Sequence, residues 1–371
     1  MNRFHAAATA ALAIFSIAVM PAHADEKLVF GALLPLTGPA APIGAEQQRG
    51  VDYAVRKINE SGGIDGRKVE FRYEDSQGKP DTGVLSFNKL IDYDHVPAVI
   101  SAFSSVGIAI GPIATRRETL VLNPGAQSDQ LGDISPFLLN TIPLVHDETK
   151  VLARYIYDKV GARNVAVIYE NAAAGTDGRN DFVEAFKKLG GTIVADEAIE
   201  FGQTNYRPTL LKVRAAKPDL VYLVVLQGYE PLIEQIGQIP GFPVCAGTTF
   251  LRLAWGHLEA VGWYQSAVHS EIDPKIEEEF KTIYKQPDMS FFGREYYTAA
   301  NIIFEATAHV LKDGKDLTGR NLLDKINEIQ DFENSVAKLH FDKSTNTAKR
   351  GIEVLKYTKT EREVVAVESA K

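Results

Sequence analysis

The chain has 371 residues, with 48 acidic against 40 basic side chains and a formal net charge of −8. An acidic balance with no basic block excludes nucleic acid and anionic membrane as partners. A single cysteine, Cys245, excludes an internal disulfide and a C-x-x-C metal or redox site, and suits a buried spectator thiol.

The N-terminus reads as an export signal. Arg3 gives a positive start, residues 6–20 (AAATAALAIFSIAVM) an uncharged apolar core, and Ala22-His23-Ala24 a small-x-small cleavage site. Cleavage is expected after Ala24. The apolar run falls short of the roughly 20 residues a membrane span needs. The mature chain alternates β-rich apolar runs with amphipathic helices. LVFGALL (28–34) reads as a strand, and Val51, Ala54, Val55 and Ile58 share one face of a helix that Gly62-Gly63 ends. A strand at 69–75, a helix over about 81–93, a strand at 96–103, a helix from about 105 and a strand at 119–124 continue the pattern. It then restarts: a helix near 147–160, NVAVIYE (164–170), a helix through Phe182 and Phe186, TIVADEAI, a helix near 207–216, and PDLVYLVVL (218–226). This spacing predicts parallel βαβ units in two similar α/β lobes, the first complete by about residue 144. Helices near 274–285 and 294–312 precede irregular β-like pieces.

No catalytic signature is present: the chain lacks G-x-S-x-G, H-E-x-x-H, a Walker A sequence and a G-x-G-x-x-G after a strand. His95, His146, His257, His269, His309 and His340 are scattered and read as ordinary surface or core residues, so neither a metal nor a cofactor is expected. Binding is the better reading. In open α/β sheets ligands sit at the carboxyl ends of strands, where helix starts present free amides. Ser104-Ser105, with Gly107 nearby, comes after one such strand and could seat a carboxylate; plain N-capping by serine accounts for the pair as well. Asn123-Pro124-Gly125-Ala126-Gln127 comes after another strand and is small enough for close backbone approach.

These residues carry a resemblance. Pro35-Leu36-Thr37-Gly38-Pro39, Gly44, Gly50, the run Ile58-Asn59-Glu60-Ser61-Gly62-Gly63-Ile64-Asp65-Gly66, and Glu74-Asp75 match the periplasmic leucine/isoleucine/valine-binding proteins of ABC importers. Ser104-Ser105, Asn123 to Ala126, Gly161 to Val167, and Tyr297-Thr298-Ala299 continue the match over essentially the whole mature chain. The resemblance implies an α/β type I periplasmic binding fold, two Rossmann-like lobes joined by a three-strand hinge that closes on a ligand. Lobe 1 is expected over 25–144 plus 270–349, and lobe 2 over 145–269 plus 350–371. A monomeric, non-enzymatic periplasmic protein working with a membrane permease is implied.

By position in the family, Ser105 falls on the serine that holds the ligand carboxylate, with Ser104 beside it. Ala126 and Gln127, next to Gly125, fall on the pair that shares this task. Tyr297 matches an aromatic lining the cleft; Ala174 and Leu226 stand where tyrosines are frequent, and Ile43 where an aromatic covers the ligand. Phe103, Phe250 and Tyr297 could flank a ring. Val145 and Thr249 occupy the places of the two acids that hold an α-ammonium, and Gln77 and Ser104 those of a cysteine pair. These departures point to a carboxylate ligand without an ammonium, best an aromatic acid such as a benzoate or phenylpropenoate derivative, with Gln127 and Thr249 free for ring substituents. Asp147 or Glu170 reaching an ammonium would leave branched-chain or other amino acids as the alternative, an aliphatic acid would fit the same vacancies, and a ligand-sensing role of the same fold is the other one.

Overall fold

A computed structural model describes residues 27–200, 202–225, 228–342 and 345–368. The export signal expected over 1–24 and the site position Leu226 lie outside them. The first half builds β1 (Leu28–Leu34), α1 (Ala41–Glu60), β2 (Val69–Asp75), α2 (Pro80–Asp92), β3 (Ala98–Ser101), α3 (Ser104–Arg117), β4 (Leu120–Asn123) and β5 (Leu138–Asn140). These strands form one parallel sheet in the order β2-β1-β3-β4-β5. β3, β4 and β5 are buried throughout, as strands covered by helices on both faces must be. Because β1 pairs with β2 on one side and β3 on the other, the chain leaves it in both directions. That reversal opens a crevice at the carboxyl ends of β1 and β3.

The second half repeats the plan with α4 (Val145–Tyr155), β6 (Asn164–Glu170), α5 (Ala173–Lys188), β7 (Thr192–Ile199), α6 (Arg207–Ala215), β8 (Leu220–Val224), α7 (Tyr229–Gly237), β9 (Cys245–Gly247) and β10 (Tyr264–Val268). Here β6 lies between β7 and β8, so its carboxyl end marks a second reversal. The chain then returns to the first sheet with α8 (Pro274–Tyr284), α9 (Phe291–Lys312) and α10 (Gly319–Ile329). β11 (Asp331–Glu333), β12 (Lys338–Phe341) and β13 (Ala348–Lys349) make a small antiparallel sheet. β14 (Ile352–Tyr357) and β15 (Arg362–Glu368) complete the second sheet, β15-β14-β10-β9-β8-β6-β7. The chain thus passes between the sheets after β5, after β10 and after β13. Buried Arg350 ties the last two passages, pairing with Glu295 of α9 and donating to the His269 carbonyl at 3.2 Å.

Two elements differ from the sequence reading. The helix expected near 147–160 starts at Val145, and its last turn, Ile156–Val160, is π-wound before Gly161 ends it at φ +83°. The β-like stretch after residue 312 contains a whole helix, α10, whose buried stripe Leu322, Leu323 and Ile326 is too short to give a clear period.

One helix crossing sets the geometry of the site. A Cβ added to Gly50 of α1 would lie 2.2 Å from the Gly293 carbonyl oxygen of α9, so these helices touch backbone to backbone. Gln47 and Phe292, neighbours of those glycines, are thereby brought into one wall.

Candidate functional site

Between the two sheets, at the carboxyl ends of β1, β3 and β6, lies a cavity of about 400 Å³. The first half lines it with Pro39, Ala40, Ile43, Gln47, Gln77–Pro80, Phe103–Ser105 and Gly125-Ala126; the second half contributes Ala172–Ala174 and Phe250, and α9 adds Phe292. Among the described residues, Lys79 is the one charged residue in that lining, and no carboxylate belongs to it.

Four helices begin at this wall. α1, α2, α3 and α5 come directly after Ala40, Lys79, Phe103 and Ala172 respectively, and none of these starts is closed by a cap side chain. In α3 the first residue positioned to bond within the helix is Gly107, whose amide reaches the Phe103 carbonyl at 2.9 Å. The amides of Ser104, Ser105 and Val106 precede it and have no acceptor within the helix. In α5 Thr176 likewise bonds the Ala172 carbonyl at 2.8 Å, leaving Ala173, Ala174 and Gly175. Pro42 and Pro80 occupy first-turn positions of α1 and α2, where a missing N–H costs nothing. Convergent helix starts give the cavity a positive potential suited to an anion.

The turn into α3 is strained. Phe103 sits at φ +68° and ψ 130°, a conformation a bulky residue rarely adopts. Ser104 helps hold it, its Oγ accepting from the Ser128 amide at 3.1 Å. Gln77 and Ser104 line the same cavity, and a Cβ on Gly78 would meet the Phe103 ring at 3.6 Å. The two positions aligned to a cysteine pair are therefore on neighbouring loops.

Eight of the residues singled out from sequence line the cavity: Ile43, Phe103, Ser104, Ser105, Gly125, Ala126, Ala174 and Phe250. Tyr297 does not. It is 5% exposed and packs on Tyr53 of α1, ring centroids 5.5 Å apart. On a helix of 3.6 residues per turn it points about 140° away from Phe292, and Phe292 is the aromatic of α9 that reaches the cavity. Tyr296 stands behind Gly125, its hydroxyl donating to the Ser101 carbonyl at 3.0 Å.

The side chains of Gln127 and Thr249 are also engaged elsewhere. Both bond Glu148, in the first turn of α4. Gln127 Nε2 donates at 2.6 Å, the Thr249 amide at 2.8 Å and Thr249 Oγ1 at 2.6 Å. Gln265 and Tyr357 extend this chain into the second sheet, through Gln265 Nε2 to the Thr249 carbonyl at 3.0 Å and Tyr357 Oη to Gln265 Oε1 at 2.7 Å. Glu148 is wholly buried, and that burial pushes its carboxyl up to about 7 despite the three donors. It lies three residues beyond Val145, the position the sequence comparison had emptied of charge. Helical winding, invisible in an alignment column, carries it to Thr249.

Asp147 and Glu170 stay off the cavity. Asp147 faces His146, whose Nε2 is 3.1 Å from its Oδ1, and Glu170 turns to the Gly202 amide at 3.1 Å. His146, unremarkable in the sequence, joins Asp129 at 2.6 Å, and hydrogen bonds to Asp129 and Asp147 push its pKa up to about 10. Asp177 and Asp181 of α5 meet the same seam. Asp177 accepts from the Ser128 hydroxyl and from the Asp129 amide at 3.2 Å. Burial, then the hydrogen bond to Asp129, pushes Asp181 up to about 7. On another side, Arg252 pairs with Glu46 of α1 at 3.3 Å and lies 4.4 Å over the Phe292 ring. Among the described residues no helix is long and apolar enough to cross a membrane.

Known proteins share this architecture. A solute-binding protein of an ABC transporter from Rhodopseudomonas palustris BisB5, in complex with 3,4-dihydroxybenzoic acid, matches at TM-score 0.81 and 20% identity, over 93% of this chain and 98% of that one. A leucine-binding protein from Thermotoga maritima matches at TM-score 0.78 and 18% identity, over 92% and 99%. In sequence, the Leu/Ile/Val-binding protein BraC3 of Rhizobium johnstonii is 31% identical over 222 residues, 59% of each chain. The match thus spans under two thirds of that relative's length, and the same holds for an amino acid binding protein of Pseudomonas aeruginosa, 30% identical over 61%. The family described as periplasmic binding protein matches residues 27–362, nearly the whole described chain. With two switch-point sheets facing one cavity and this match along their length, the chain belongs to the periplasmic binding protein family.

Proposed function

We propose that this protein is the solute-binding component of an ABC-type importer. It is exported to the periplasm, cut after Ala24, and holds a carboxylate that lacks an α-ammonium between lobes 25–144 plus 270–349 and 145–269 plus 350–371. It delivers the ligand to a membrane permease without altering it. The carrying observation is the set of four uncapped helix starts around a cavity with no lining carboxylate. An anion gains from those amides, whereas a buried ammonium would find no counter-charge and lose several kcal/mol. Ser105 and the Gly125-Ala126 backbone form the carboxylate seat. Phe103, Phe250 and Phe292 supply ring faces, so an aromatic acid such as a benzoate or phenylpropenoate derivative suits the site. Benzoate-type ligands in structural neighbours support this reading.

Amino-acid binding is a second reading, favoured by one observation. Glu148 is an acid beside Thr249, and a rotation there would bring a carboxylate to an ammonium. Calorimetric titration of 4-hydroxybenzoate, benzoate and coumarate against leucine, valine and phenylalanine separates the two. Micromolar binding of an aromatic acid is expected. Micromolar binding of an amino acid with none of the aromatic acids would overturn the carboxylate-only reading.

A further inference from the structure

The cavity wall is mostly apolar or backbone, with Gln47 and Ser104 as its buried polar side chains. Gln47 is 2% exposed, lines the cavity, and its Oε1 meets no hydrogen-bond partner. The other polar side chains of the lining are placed differently: Gln77 is exposed and accepts from Lys79 Nζ at 3.4 Å, and Ser104 is used by the Ser128 amide. Ser105 is half-buried at the start of α3, in the seat proposed for the carboxylate. A buried amide left without a partner costs about 1–3 kcal/mol. Such a group persists where a ligand completes it. Gln47 stands one helical turn after Ile43 on α1 and lines the same cavity as Phe292. Gln127 and Thr249, the partners for ring substituents expected from sequence, are consumed by Glu148.

Resting on the carboxylate reading above, we infer that Gln47 is the specificity-determining residue for a second polar group on the ligand, a hydroxyl remote from the carboxylate. The ligand class is therefore a hydroxylated aromatic acid. A carboxamide both donates and accepts, and so does a phenol hydroxyl. A hydrocarbon ring edge offers neither, and binding benzoate would leave the amide as it stands.

The test compares 4-hydroxybenzoate, 3-hydroxybenzoate and benzoate by calorimetry on the wild-type protein, Gln47→Leu and Gln47→Met. Wild type is expected to prefer one hydroxybenzoate over benzoate by about tenfold or more. In Gln47→Leu that ratio falls to near one, through weaker hydroxybenzoate binding, with benzoate affinity kept or raised. Gln47→Met serves as the unbranched variant of similar length should leucine disturb the α1–α9 contact. A preference that survives both substitutions, or no wild-type preference, assigns Gln47 to packing and overturns the inference while the carboxylate seat stands. Failure of all three acids to bind wild type overturns this inference, and the carboxylate reading falls with it if coumarate fails to bind as well.

Discussion

Two groups of helices begin in opposite ways. α8, α9 and α10, which pack on the first sheet, carry their own caps, although α9 brings Phe292 to the cavity wall. Asp273 accepts from the Lys275 amide at 2.8 Å, Ser290 from Gly293 at 3.2 Å and Thr318 from Asn321 at 3.2 Å. α1, α2, α3 and α5, which open on the cavity, have Ala40, Lys79, Phe103 and Ala172 at the cap position and no such bond. α4, α6 and α7, which begin off the cavity, share that lack of a cap side chain. A cap contributes about 1 kcal/mol to a helix. Leaving these starts without caps sacrifices local stability. The first-turn amides of α3 (Ser104, Ser105, Val106) and α5 (Ala173, Ala174, Gly175) are available to an anionic ligand, whereas the Ala41 amide of α1 bonds the Gly38 carbonyl at 3.1 Å. The carboxylates of this region show the same division. Glu148, Asp129, Asp177 and Asp181 all lie in the seam between the halves, yet none lines the cavity.

The sharpest way to break this contrast is to close one of the open starts with a charge. Ala174→Asp places a carboxylate in the first turn of α5, where it suits the helix but occupies the anion's ground. Two like charges about 4 Å apart at an effective dielectric of about 20 repel by about 4 kcal/mol. Calorimetry should then show 4-hydroxybenzoate binding weakened about a thousandfold, with the thermal midpoint held or raised. Unchanged affinity would place the anion elsewhere.

Next comes Glu148. Its carboxyl, ordinarily near 4.5, titrates at about 7 when buried. Between these values the folded protein holds a proton that the unfolded chain has released, so stability falls as pH rises through this window and levels off above it. The full difference amounts to roughly 3 kcal/mol. Denaturant midpoints of Glu148→Gln should show this slope reduced between about pH 4.5 and 7, the remainder belonging to Asp181, which is also pushed up to about 7. An identical slope in both proteins would assign it to other groups, Asp181 first.

A smaller loss is expected from Ser105→Ala, about 1.5–3 kcal/mol for a hydrogen bond to a charged group, or roughly tenfold or more in Kd. Stability should barely move, and a tight-binding variant would shift the seat to the backbone amides alone. The mildest effect belongs to the capped group. Thr318→Ala should cost about 1 kcal/mol in denaturant unfolding and leave ligand affinity untouched. A change in affinity there would undo the division between the two groups.

The amino-acid sequence by itself determined the alternating βαβ plan, the strand ends and the loops beyond them. These depend on local features: apolar periodicity, glycine stops and short turns. That is why Ile43, Phe103, Ser104, Ser105, Gly125, Ala126, Ala174 and Phe250 could be named from sequence and are found along one cavity. Short elements such as β9 and α10 escaped because three residues, or a narrow buried stripe, leave no period to read. Only the tertiary structure decided which face of a helix meets the cavity. It turned Tyr297 to the α1 contact and Phe292 inward, wound Glu148 toward Thr249 and Gln127, and, through the Gly50–Gly293 approach, set Gln47 in the wall. Linear order carries no helical phase relative to a distant partner, and a buried polar atom is known to lack a bond only once every neighbour has been placed.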